Sequence, residues 1–142
     1  MTRKLVTFAV LGAAALGLAA TWTLTAQTEG RTIRDGVFSP AQAERGAQVF
    51  GTICTNCHDI TEFTGAGAYL EDVEGTPLWE TFEFVSSEMP EDDPGSLTLE
   101  EYAAVLAYIF SVYGLPSGDA ELAVDQRSLE AITIVRPALP GS

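Results

Sequence analysis

Apolar residues recur at helical spacing in three segments of the chain, and each segment follows residues that favour the start of a helix. The first begins at Ser39, a capping residue, with Pro40 at the first helical position. Gln42 can complete a capping box there. This helix is expected to end near Gly51. From 52 to 75 the chain shows no sustained period and is expected to be loop.

The second helix is predicted to start at Thr76 and Pro77 by the same capping pattern and to end near Met89, because Pro90 follows. The third has the strongest signal. Thr98 can form a capping box that begins it, and its apolar residues continue at helical spacing until a glycine and a proline end it. A shorter helix is expected at 127–131, before a β-branched run at 132–135.

These elements predict an all-α domain with three main helices. Residues 39–116 are expected to form the domain, 27–38 a linker, and 117–142 a C-terminal extension packed on the domain. Before the linker, Arg3 and Lys4 precede an uncharged apolar run at 5–27. Residues 1–26 therefore predict an N-terminal signal peptide or a membrane anchor helix, with possible membrane association through residues 5–26. A buried structural helix is the remaining alternative. Either of the first two interpretations places the rest of the chain in the periplasm, soluble or tethered to the inner membrane.

Charge is strongly negative and unevenly distributed. The 142 residues carry 7 Lys+Arg against 20 Asp+Glu, a formal charge of -13. Such a balance argues against binding to nucleic acid, which requires clustered basic residues. Between Asp59 and Glu101 there are 13 acidic residues and no basic one. This segment is either a solvated face or a surface for redox partner proteins with a basic docking face.

The chemistry is concentrated in Cys54, Thr55, Asn56, Cys57 and His58, a C-x-x-C-H motif. In an exported chain this spacing predicts covalent attachment of one c-type haem through the two thiols, with the imidazole as an iron ligand. A dithiol oxidoreductase would need a βαβ context, and a zinc site would need further Cys or His ligands, of which the chain has none. A structural disulfide remains possible but leaves the histidine unexplained.

His58 is the only histidine, so a second imidazole from this chain cannot bind the iron. Met89 is the only methionine after the first residue, and it lies in a polar turn rather than on an apolar stripe. A core filler is the alternative role, but the setting favours an axial thioether ligand, which raises the reduction potential. With both positions occupied, electron transfer is expected rather than enzymatic catalysis. Trp79, Phe82 and Tyr102 are candidate walls of the haem site.

These residues together resemble class I monohaem cytochrome c over about 36–115. The resemblance rests on Gly46 and Phe50 before the motif, on the motif itself, on Met89 followed by Pro90, and on the closing helix. It implies that the first helix crosses the last at Gly46, with Tyr108 against the glycine. It also implies a haem iron held by His58 and Met89.

The run M-P-E-D-D-P-G-S-L from Met89 is similar to cytochrome c subunits associated with pyrroloquinoline-quinone-dependent dehydrogenases. That resemblance implies a periplasmic electron carrier between a dehydrogenase and an oxidase. Asp59 departs from the pattern, which commonly has glycine after the haem histidine. A fixed cytochrome subunit of a membrane-bound respiratory or photosynthetic complex is the alternative function. A haem-based gas sensor with a labile Met89 is a further one.

Overall fold

The computed structural model describes residues 30–64 and 67–137. The predicted signal or anchor at 1–26 lies outside these residues. Within them the chain is mostly helical, and no helix is both long enough and apolar enough to cross a bilayer. The elements in chain order are β1 (Arg31–Thr32), α1 (Pro40–Thr52), two 3₁₀ turns (Cys54–Asn56 and Ile60–Phe63), α2 (Tyr69–Asp72), α3 (Leu78–Glu88), α4 (Leu99–Val112), α5 (Gln126–Glu130) and β2 (Ile132–Thr133).

Helix α1 begins as its sequence predicts. Ser39 caps it by accepting a hydrogen bond from the backbone N–H of Gln42, and Pro40 occupies the first helical position. The Gln42 side chain, however, does not complete a capping box. It is buried and pairs with the backbone of Leu122, donating to the carbonyl at 3.1 Å and accepting from the N–H at 2.7 Å. A long-range partner therefore replaces the local one and ties the C-terminal extension to α1.

Helix α4 forms the centre of the molecule and has both predicted ends. The Thr98 hydroxyl accepts from the N–H of Glu101, whose carboxylate accepts in return from the N–H of Thr98. At the other end Gly114 has a φ of +88°, and the N–H of Leu115 reaches back to the carbonyl of Phe110. Eight of its residues are buried, so α4 has neighbours on most of its circumference.

Helices α1 and α4 cross at Gly46. A Cβ built on this glycine would lie 1.8 Å from the carbonyl oxygen of Ala104 and 3.0 Å from the Cβ of Tyr108. Only a residue without a side chain permits this approach. One turn further along α1, the ring of Phe50 lies 5.5 Å from the ring of Tyr108. The expectation that Tyr108 lies against Gly46 is confirmed.

The second helix starts later than predicted and by another mechanism. Helix α3 begins at Leu78, with Pro77 at the N-cap and no side-chain capping bond. Thr76, expected to cap it, instead donates its hydroxyl to the carbonyl of Val73. The 52–75 segment is also more ordered than a loop, since it contains both 3₁₀ turns and α2.

Residues 30–38 do not have the character of a linker. Strand β1 pairs in parallel with β2, with Arg31 opposite Ile132, and the N–H of Ile33 donates to the carbonyl of Thr133. Ile33, Val37 and Phe38 are almost fully buried. The glycines and polar residues of this segment are typical of a linker, but its three apolar side chains belong to the core.

The described part of the C-terminal extension packs on α3. Leu129 and Ile134 are fully buried, and the backbone of Ile134 exchanges hydrogen bonds with Gly75 and Thr76. The two-residue strands and this ladder are small additions to a mostly helical fold.

Candidate cofactor site

An apolar cavity of about 390 Å³ lies between the C-x-x-C-H segment, the end of α3 and one face of α4. This volume is within the usual range for small-molecule and cofactor sites. Cys54, Cys57, His58 and Met89 all line it. Four side chains that the sequence singles out for one chemistry are therefore brought to one cavity.

The C-x-x-C-H segment leaves α1 through a tight turn. The 3₁₀ turn at Cys54–Asn56 follows the helix directly, and the N–H groups of Cys57 and His58 both donate to the carbonyl of Cys54. This winding brings the two cysteines and the histidine onto one wall of the cavity. Both cysteines are free thiols, so they form no disulfide with each other.

The two thiols differ in their surroundings. Cys54 is partly buried and Cys57 is exposed. Burial raises the pKa of the Cys54 thiol above its ordinary value. A dithiol oxidoreductase relies on a nucleophilic cysteine whose pKa is lowered, and Cys54 shows the opposite shift.

His58 is held by a carboxylate four residues later. Its Nδ1 lies 3.1 Å from Oε2 of Glu62, and among the described residues this is the ring's hydrogen-bonded nitrogen. The other carboxylate oxygen of Glu62 accepts from the N–H of Asp59 at 2.9 Å. With Nδ1 engaged in this way, Nε2 is the nitrogen left to face a ligand or metal.

Asp59 supports this arrangement. Its carboxylate accepts from the N–H and the hydroxyl of Thr61 and caps the second 3₁₀ turn. These bonds lower the pKa of Asp59, and the bonds from Asp59 and His58 lower the pKa of Glu62. Both carboxyl groups are consequently ionised at neutral pH. Asp59 is thus the cap that positions Glu62.

A chain of aromatic rings backs the histidine. The ring of Phe63 lies 5.8 Å from the ring of His58 and also 5.8 Å from that of Phe50, in edge-to-face geometry. Phe50 in turn packs on Tyr108 of α4. The orientation of His58 is therefore connected to the α1–α4 crossing.

Met89 is positioned by α4 instead. It is the C-cap residue of α3, and its carbonyl accepts a hydrogen bond from the Tyr102 hydroxyl at 2.5 Å. The same hydroxyl accepts at 3.4 Å from the N–H of Leu97. Tyr102, which is 2% exposed, joins both ends of the 89–97 loop.

The candidate walls are partly different from those predicted. Tyr102 lines the cavity, whereas Phe82 is buried in the core and Trp79 packs on it at 5.8 Å between ring centroids. The apolar walls missed by the sequence are supplied by Phe50, Ile53, Phe63, Val85, Val105 and Ile109. Helical spacing identifies apolar faces but does not say which of them borders a cavity.

Acidic residues stand at the mouth of the cavity. Glu91 and Asp92 are exposed and line it, and the exposed Asp93 follows them. Phe84, which is 47% exposed, lies on the same rim. A negative rim around an apolar opening favours approach by positively charged partners.

No group of three or more His, Cys, Asp or Glu side chains that could hold a metal ion occurs in residues 30–64 and 67–137. A c-type haem needs no such group, because the porphyrin supplies four nitrogen ligands and the protein supplies the two axial ones. Two free thiols, an imidazole with an uncommitted nitrogen and a thioether on one apolar cavity are chemically suited to this group.

Comparison with protein families, with characterised proteins and with solved structures finds no match to this chain.

Proposed function

We propose that this protein is a periplasmic electron carrier of the class I cytochrome c type, which transfers one electron from a donor such as a dehydrogenase to an acceptor such as an oxidase. The observation that carries the proposal is the convergence of Cys54, Cys57, His58 and Met89 on one apolar cavity. These residues come from two segments that are far apart in the sequence. A chance C-x-x-C-H motif would not be expected to face the chain's one internal methionine.

Each residue has a distinct role in this proposal. Cys54 and Cys57 would hold the haem through thioether bonds, and His58 and Met89 would be its axial ligands. A bound haem supplies a one-electron Fe(III)/Fe(II) couple. The apolar walls exclude water, and the acidic rim at Glu91 and Asp92 favours weak, fast complexes with partners that have a basic docking face.

The alternative chemistries of the motif have less support. The raised pKa of Cys54 is unsuited to dithiol exchange, which requires a readily formed thiolate. The electron-carrier proposal also explains why an imidazole follows the cysteines directly.

The test is export of the full chain together with a haem c maturation system. Mass spectrometry of the denatured, unaltered protein should show the mass of one added haem. The double variant Cys54→Ala, Cys57→Ala should show no added haem. The same mass shows whether residues 1–26 are retained. A protein that matures without haem would overturn the proposal.

The second part of the test concerns Met89. The oxidised protein should show the weak long-wavelength band of thioether-to-iron ligation, and Met89→Ala should abolish it. Leu97→Ala is the matched control, because Leu97 lines the same cavity at the other end of the loop but has no donor atom. Carbon monoxide binding to the reduced, unaltered protein would favour a gas sensor over a carrier.

A further inference from the structure

The contact between His58 and Glu62 has a chemical consequence that electron transfer alone does not require. The carboxylate accepts from Nδ1 of His58 with one oxygen and from the N–H of Asp59 with the other. Both oxygens are thus committed within one short segment. The Glu62 side chain is fixed at both of its acceptor atoms rather than left as a freely rotating surface group.

We infer that Glu62 is a positioning residue that lowers the reduction potential of the haem by increasing the electron donation of His58. The inference rests on the proposed function and deepens it. A carboxylate that accepts the second N–H of a metal-bound imidazole fixes its orientation and raises its basicity. A more basic imidazole stabilises Fe(III) relative to Fe(II).

This effect opposes that of Met89. A thioether ligand favours the reduced state, whereas the Glu62–His58 pair favours the oxidised state. The potential of this protein would then be lower than that set by the same two ligands with a neutral partner on the histidine. A donor protein must match that lower value.

Asp59 is the structural reason that Glu62 can act in this way. By capping the 3₁₀ turn at Ile60–Phe63, it directs the chain so that Glu62 returns to both the Asp59 N–H and the imidazole. A glycine at 59 would offer no such cap. The departure from the cytochrome pattern and the carboxylate on His58 are thus two parts of one arrangement.

The test compares Glu62→Gln with the unaltered haem-loaded protein by potentiometric titration. A glutamine side chain has only one acceptor oxygen. It therefore cannot accept hydrogen bonds from both the Asp59 N–H and the His58 imidazole, as the two oxygens of the Glu62 carboxylate do. At a fixed ambient potential we expect the ratio of reduced to oxidised haem to rise about tenfold, which corresponds to about 59 mV for a one-electron couple.

Loss of a nearby negative charge also raises a potential, so a matched control is needed. Glu91→Gln removes a carboxylate that lines the cavity on the Met89 side and does not contact His58. Both titrations are run at low and at high salt, since salt screens exposed charges but not a direct hydrogen bond. A Glu62→Gln shift that exceeds the control and persists at high salt supports the inference. A shift equal to that of the control overturns it.

A measurement on the unaltered protein covers the case in which the variant does not fold. In the diamagnetic reduced state, the Nδ1 proton of His58 should resonate further downfield in the unaltered protein than it would with a neutral hydrogen-bond acceptor. An Nδ1 resonance without that downfield shift would overturn the inference and leave the proposed function intact. Absence of covalent haem from the unaltered protein would refute the proposed function instead.

Discussion

His58 and Met89 lie on one cavity and each is close to a capping box, but they are held in different ways. On the histidine side, Asp59 and Glu62 cap a 3₁₀ turn, and Glu62 itself contacts the imidazole. On the methionine side, the capping box only starts α4, whose Tyr102 then reaches the Met89 carbonyl.

The difference separates a local contact from a tertiary one. The Glu62–His58 bond spans four residues, whereas the Tyr102–Met89 bond spans 13 and joins two helix ends. A displacement of α4 therefore moves the support of Met89 directly. It reaches His58 through the 3₁₀ turn at Ile60–Phe63, where Phe63 packs on the imidazole and on Phe50. We expect the methionine side to respond first when the fold is weakened.

The largest effect is expected at the α1–α4 crossing, because the supports of both His58 and Met89 depend on it. Gly46→Ala places a Cβ 1.8 Å from a backbone oxygen of α4, which cannot rotate away. The helices must separate, and we expect the free energy of unfolding to fall by about 3 kcal/mol or more. Urea denaturation of the variant measures this.

The matched control lies in the same helix. Gly51→Ala adds the same methyl group where nothing lies within 4 Å, and it should be neutral or stabilise by up to about 1 kcal/mol. Equal stabilities for the two variants would show that the α1–α4 crossing is not as close as described.

The second effect concerns the tertiary support of Met89. Tyr102→Phe leaves the Met89 carbonyl and the Leu97 N–H without their partner, at a cost of about 1–3 kcal/mol. With the proposed haem bound, added imidazole should displace Met89 more readily, with His58 unaffected. Equilibrium titration with imidazole, followed by absorbance, measures this displacement.

Tyr108→Phe is the control for that variant, because Tyr108 packs on Phe50 through its ring. Unchanged imidazole affinity in Tyr102→Phe would mean that the loop holds Met89 without the tyrosine. Met89 would then be held as firmly as His58, and the proposed difference between their supports would be wrong.

Local signals in the sequence predicted the helix starts at Ser39 and Thr98 correctly, because each depends on residues within one turn. The same logic failed for Thr76, whose hydroxyl found a carbonyl earlier in the chain. It failed for Gln42 because the partner, Leu122, is 80 residues away. Capping patterns state which bonds are possible, and tertiary contacts decide which are made.

In the candidate site, too, local features are predictable from the sequence and tertiary contacts are not. Residue type and spacing identify the metal-ligand candidates, and these side chains line one cavity. Glu62 was missed, although Asp59-x-x-Glu62 is a recognisable capping pattern immediately after His58. The roles of Phe63 and Tyr102 toward the two ligand candidates depend on how helices and turns pack. No period in the sequence reveals that.

A smaller effect is expected from the aromatic chain on the histidine side. Phe63→Leu keeps an apolar side chain but removes the ring contacts to His58 and Phe50, worth about 0.5–1.5 kcal/mol beyond burial. The imidazole should become more mobile while Met89 is unaffected. Unfolding experiments and relaxation of the His58 ring resonances measure the two effects.

Phe84→Leu is the control, since Phe84 is 47% exposed on α3. If both variants lost the same unfolding free energy and the mobility of the imidazole were unchanged, Glu62 would be the main support of His58. That result would sharpen the contrast, because the histidine would then be held by purely local contacts.

The smallest effect is the acid sensitivity of the capping box that begins α4. Bonds from the backbone N–H and then the hydroxyl of Thr98 lower the pKa of Glu101 below its ordinary value of 4.5. A carboxyl group whose pKa is depressed by folding contributes stability that is present above 4.5 and lost as the pH falls through its folded value. Glu101→Gln should therefore flatten part of the decline in unfolding free energy below pH 4.5, measured by urea denaturation across that range. Glu100→Gln is the control, because Glu100 lies in the same first turn of α4. An equal flattening in the control would mean that the acid response comes from the net negative charge of this turn. It would not then come from the capping box that precedes Tyr102.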